Sequence, residues 1–169
     1  MARRERQAVV ADALAIYLAD HFAGATFGLE LVRRCRGKNA GTQFAAPLSE
    51  LVHEVEADRR TLLKLMRRLG AEPSLVKTAV GWTLGKARRL KPNGDLFAYT
   101  PLSRVAELEI LLTGIAGKRA LWTALDAHFS GHDRVEGFDF GALAERAARQ
   151  IEVVERLRLE AAAIAFRAS

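Results

Sequence analysis

Residues 48–70 read LSELVHEVEADRRTLLKLMRRLG, an amphipathic helix whose apolar side is broken once, by an acid. Leu48, Leu51, Val55, Leu62, Leu65 and Leu69 fall in the three-four rhythm of a single helical stripe, and Asp58 takes the step between Val55 and Leu62. Gly70 closes the stretch as a helix C-terminal glycine. Three other stretches can cover the stripe, each with one polar residue on its own inner face. That pattern predicts an all-α four-helix bundle with a polar spot in its core.

The 169 residues, 50% of them apolar, suit one domain over residues 1–169 that buries about 70% of its unfolded surface. Cys35 is the only cysteine, so an intrachain disulfide and a cysteine metal cluster are both excluded, which fits a reducing cytoplasm. Asp12, Asp20 and His21 interrupt the first apolar run at helical intervals, so it reads as a mature first helix rather than a leader. No stretch approaches the ~20 uninterrupted apolar residues of a membrane span. The net charge of +6 gathers at Arg33–Lys38, Arg67–Arg68 and Lys86–Lys91. Such a surface attracts polyanions, but no helix-turn-helix, zinc finger or aromatic platform accompanies it.

Residues 8–35 form the first helix, with Leu14, Leu18, His21, Ala25, Gly28, Val32 and Cys35 on one face. Ala25 and Gly28 let a neighbouring helix approach or leave room for a ligand. Gly37 to Gly41 turn the chain, and Pro47 sits at the start of the second helix. Ala71 to Thr100 is far longer than a usual helix connection. It carries a weak helical pattern from Ser74 to Arg89, a turn at Pro92–Asp95, and Trp82 packed beneath. A connection of that length can span the bundle, so the third helix is expected to start at the same end as the second. That helix, about Leu102 to His128, is apolar almost all round, which predicts burial by the connecting segment or by a homodimer partner. The last helix runs from about Phe140 to Phe166, with Phe140, Leu143, Ala147, Ile151, Val154, Arg158, Ala161 and Ala165 inward and Gln150 at the margin.

Two helical pairs joined by a long crossover, with inward polar residues, resemble the ferritin-like superfamily of antiparallel four-helix bundles. The segments YLADHFAG, EADRRTLLKLMRRLG and ELEILLTGIAGK resemble an uncharacterised bacterial branch with a degenerate or absent di-iron site. Di-iron members of that superfamily set a Glu from each of two helices and a Glu-x-x-His from each of the other two around the metals. The present sequence departs from this. Its one Glu-x-x-His, Glu50 to His53, lies about 110° to 170° from the centre of its stripe and points to solvent. The last helix has no histidine, and Glu145, Glu152 and Glu155 lie off its inner face; Glu30 also faces outward.

What remains inward is one polar residue per helix: His21, Asp58, Glu109 and Arg158. With a full crossover their heights fall at about 21, 15, 12 and 10 Å from the end that holds the first loop, so they could meet as a metal-free charge network. The expected cofactor is therefore none. The alternative is a transition metal such as iron held by His21, Glu54, Asp58 and Glu109. His128 and His132 read as surface residues. No nucleophile with its base, phosphate loop or paired catalytic carboxylates is present, so the expectation is a non-catalytic bundle with a structural or interaction role, self-associating through its third helix. The alternatives are a metal-binding or redox and stress-related protein, and a basic nucleic-acid-associated protein.

Overall fold

The computed structural model describes residues 2–71 and 99–167, with side chains from Asp12 onward. Four long helices fill it: α1 (Ala2–Lys38), α2 (Ala45–Leu69), α3 (Pro101–Phe129) and α4 (Phe140–Arg167), with a 3-10 turn at Asp133–Val135 before the last. The expected helix from Ser74 to Arg89, the turn at Pro92–Asp95 and the packing of Trp82 lie outside the described residues.

Local chemistry fixes the helix ends. Gly70 adopts φ +71°, where an L side chain would be strained, and Ala71 N donates to Met66 O at 2.9 Å, closing α2 with a left-handed cap. Thr100 and Ser103 form a reciprocal capping box ahead of α3, with Pro101 in the first turn where its missing donor costs nothing. Asp139 Oδ1 accepts from Ala142 N at 2.8 Å and starts α4.

Helices that border one another run antiparallel. Arg33 of α1 pairs with Glu56 of α2, and Arg59 donates to Thr26, which sets those two in opposite directions. Arg34 of α1 pairs with Glu107 near the start of α3, while Leu18 and Phe22 share a core cluster with Trp122 and Leu125. Thus α3 also opposes α1, and α2 and α3 are parallel. α2 ends and α3 begins at opposite ends of the bundle. Viewed down the axis, α1 borders α2 and α3, α4 borders α3 and α2, and the parallel pair occupies a diagonal.

The core divides into two clusters. One, around Phe44, Leu48, Leu108 and Leu157, sits at the first-loop end; the other, around Leu18, Leu65, Trp122 and Phe140, sits at the far end. Each such large side chain contributes about 1.5–3 kcal/mol on burial. Leu108, Leu111 and Trp122 of α3 are buried by the chain's own helices. The apolar residues that α3 turns outward are mostly small: Ala106, Ala116, Ala120, Ala124 and Ala127.

Candidate functional site

Between the two apolar clusters lies an ionic network built on Asp58. Its side chain is 2% exposed, held inward because Val55, Leu62 and Leu65 on the same stripe are buried. Lys118 Nζ reaches it from α3, donating to Oδ2 at 2.6 Å, and the Arg146 guanidinium of α4 donates to Oδ1. Gln150 Nε2 donates to Asp58 Oδ2 at 3.3 Å and to Glu54 Oε2 at 2.9 Å, while its carbonyl accepts from Lys118. The acid thus meets two cations and an amide, the compensation a buried charge requires. Burial lowers the Lys118 pKa from its usual value, with the Asp58 carboxylate opposing that shift.

The four residues expected to meet are not brought together. Asp58 is central, but Glu109 is 56% exposed on the outer side of α3 and pairs with Arg158 at 3.8 Å. Arg158 is engaged chiefly by Glu155 one turn earlier, at 2.6 and 2.8 Å. The reason is a helical phase. On α4 the buried series is Phe140, Leu143, Ala147, Gln150, Val154, Leu157 and Ala161, a strict three-four alternation that puts Gln150 and Leu157 inside in place of Ile151 and Arg158. On α3 the same alternation runs Leu108, Leu111, Ile115, Lys118, Trp122 and Leu125, which turns Glu109 outward. His21 is half-buried with its ring edge-on to Tyr17 at 4.6 Å, and burial lowers its pKa while Asp20 opposes the shift. Glu50, His53, Glu30, His128 and His132 are exposed.

Lys118, Arg146 and Gln150 carry the network, and sequence reasoning left all three out of it. A signal for two of them was present. Asp58 sits between Val55 and Leu62, Lys118 between Ile115 and Trp122, and Gln150 between Ala147 and Val154, each three residues after one buried apolar residue and four before the next. Of the residues named for the metal alternative, Glu109 lies on the outer side of α3 and Asp58 is engaged by Lys118, Arg146 and Gln150. Among the described residues no group of three or more His, Cys, Asp or Glu side chains could hold a metal ion.

Above this network, between α1, α2 and α3, lies a cavity of about 420 Å³. Asp58 and Lys118 form part of its wall, and His21, Arg59 and Trp122 border it among apolar residues. Trp122 is 1% exposed, and its Nε1 has no hydrogen-bond partner among the described residues.

A second polar network pins the start of α3 to the α1–α2 corner. Arg34 Nε donates to Glu107 Oε1 and Tyr99 OH to Glu107 Oε2, each at 3.0 Å, and Asn39 Nδ2 donates to Tyr99 OH at 2.9 Å. Arg104 donates to Asn39 Oδ1 and stacks over the Phe44 ring at 4.4 Å. These contacts set the end at which α3 begins.

No protein-family model matches the chain, and no curated protein or solved structure matches it either.

Proposed function

We propose that the protein is a non-catalytic helical bundle of ferritin-like arrangement with an interaction or binding role. The saturation of Asp58 by Lys118, Arg146 and Gln150 carries this reading. Ferritin-like di-iron bundles place inward carboxylates around metals at their centre. Here a lysine and an arginine occupy that surrounding, and a metal would have to displace both. The antiparallel pairs α1–α2 and α3–α4, with a connection leading from one end to the other between them, support the ferritin-like part. Elemental analysis and an absorption spectrum of protein produced with excess iron and zinc test it. Substoichiometric metal and no visible band are expected; a stoichiometric metal lost on Asp58→Ala would overturn the reading.

The interaction role includes self-association through the alanine-rich outer side of α3. Sedimentation at two concentrations tests it, and a monomer mass at both removes it. A second reading rests on the end of α2, where Arg60, Lys64, Arg67 and Arg68 are all exposed with no acid between them. Such a patch attracts polyanions, and binding to duplex DNA that weakens steeply with salt would favour it.

A further inference from the structure

We propose that Lys118 is a nucleophilic amine in the wall of the cavity between α1, α2 and α3, and that it holds an apolar aldehyde there as a Schiff base. The cavity encloses about 420 Å³, within the ordinary range of small-molecule sites. Lys118 and Asp58 line it together, and Phe27, Leu31, Ile110 and Leu121 supply apolar wall. Room beside the amine comes from sequence. Gly114 lies one turn before Lys118 and Gly117 immediately before it; both border the space, and a Cβ added at either meets nothing within 4 Å. Gly24 and Gly28 border it from α1 in the same way.

Lys118 differs from a surface lysine in burial and in bonding. Its side chain is 13% exposed, largely out of water but not sealed. An ammonium group has three N–H donors. One goes to Asp58 Oδ2 at 2.6 Å, a second to the Gln150 carbonyl, and the third has no partner among the described residues. Burial lowers the Lys118 pKa, the Asp58 carboxylate opposes the shift and the Arg146 guanidinium adds to it, so the free amine forms more readily than on an exposed lysine. A lysine desolvated in an apolar site beside a second cation is a known setting for an amine nucleophile. Condensation with an aldehyde needs no further reactant. The nitrogen lone pair forms the C–N bond, the carbonyl oxygen leaves as water with two of the three ammonium protons, and the third stays on the iminium nitrogen. That N–H keeps its bond to Asp58, whose carboxylate pairs with the positive charge of the product. The Gln150 carbonyl gives up its contact, while its amide stays on Glu54 and Asp58.

The inference rests on the metal-free reading of the core, and elemental analysis of the same sample tests that reading separately. Treating the full chain at neutral pH with an equimolar amount of 3-phenylpropanal, then with sodium borohydride, converts a Schiff base into a stable amine that peptide mass mapping locates. A single adduct on Lys118 is expected, at least about tenfold above the exposed Lys38 and Lys64. Glyceraldehyde, a polar aldehyde, should show no such preference. Lys118→Arg keeps a cation on Asp58 and should lose the adduct. Gly28→Leu and Gly114→Leu fill the space from opposite walls and should each bring Lys118 down to the level of Lys64 in a protein whose circular dichroism is unchanged. If one of them fails to fold, the other still decides. Labelling of Lys118 no greater than that of Lys64, the same preference with glyceraldehyde, or labelling that survives the filling would overturn the proposal.

Discussion

Lys118 Nζ donates to Asp58 Oδ2 across 2.6 Å, joining two helices that run parallel from opposite corners of the bundle. A single ion pair therefore spans the diagonal, and it fixes the relative height of α2 and α3. Hydrophobic stripes with a repeating spacing can slip by a turn with little loss of contact, whereas a buried charge cannot. Asp58 thus acts as a register pin, the best-attested use of buried polar groups in helical assemblies.

Removing Asp58 should be costly, because it strands Lys118 in the core. Asp58→Ala is expected to lose about 3–5 kcal/mol in urea denaturation. Lys118→Ala should cost less, since Arg146 still satisfies the acid. The double mutant should retain about 0.5–3 kcal/mol relative to the sum of the single losses. Strict additivity would show that the two side chains do not interact.

The helical glycines at the cavity give a stability change of opposite sign. Gly24 and Gly114 are exposed at their backbones, and an added methyl meets nothing within 4 Å. Gly24→Ala and Gly114→Ala should each raise stability by about 0.5–1 kcal/mol, read as a higher melting temperature. A loss in both would mean that the helices approach more closely than their backbones indicate.

Helix number and helix ends were legible because their signals are local: the stripe of residues 48–70, Gly70, Pro47 at the start of the second helix, and the turn from Gly37 to Gly41. Asp58 was legible because one acid interrupts an otherwise apolar stripe. Its partners were not, and the cause is phase. α3 is apolar on several sides, so its inward direction depends on which three-four series is followed, and a choice one residue off exchanges Lys118 for Glu109. The same ambiguity on α4 exchanged Gln150 for Ile151 and Leu157 for Arg158. Arg146 lies off the buried series and reaches Asp58 by its length, which no periodicity reports. The cavity was half legible: Gly28 marked a place where a helix could approach or a ligand could sit, and the choice depended on the opposite wall.

Stability should fall in mild acid through His21. Burial lowers its pKa below 6.5, so the unfolded chain takes up the proton first as pH drops. In the window between 6.5 and the lowered value the unfolded state binds more protons, and stability rises with pH. The groups at the same cavity are Asp20, Asp58, Arg59 and Lys118. His21→Gln should flatten the stability curve between neutrality and the onset of acid unfolding. An unchanged slope in denaturation at successive pH values would assign the loss elsewhere.

Cys35 should be an inert thiol in the native protein and a source of alkaline instability. It is fully buried where α1 meets the α1–α2 corner, with Asn39 Nδ2 at 3.6 Å and Tyr99 OH at 3.9 Å from its sulfur. Burial, reinforced by the Glu107 carboxylate, pushes its pKa from 9.0 up to about 12. Because the thiolate is the reactive form, dithionitrobenzoate at pH 8 should leave the native protein untouched and titrate one thiol per chain in urea. The alkaline effect has the opposite sign to that of His21. Above pH 9 the unfolded chain loses the thiol proton while the native chain keeps it, so the unfolded state binds fewer protons and stability falls as pH climbs toward 12. Urea midpoints at pH 8 and pH 10 should therefore differ more for the natural chain than for Cys35→Ala, whatever the variant loses in packing at both pH values. Rapid labelling of the native thiol would show that the corner formed by Asn39, Tyr99 and Glu107 opens to solvent, and would remove the basis for both effects.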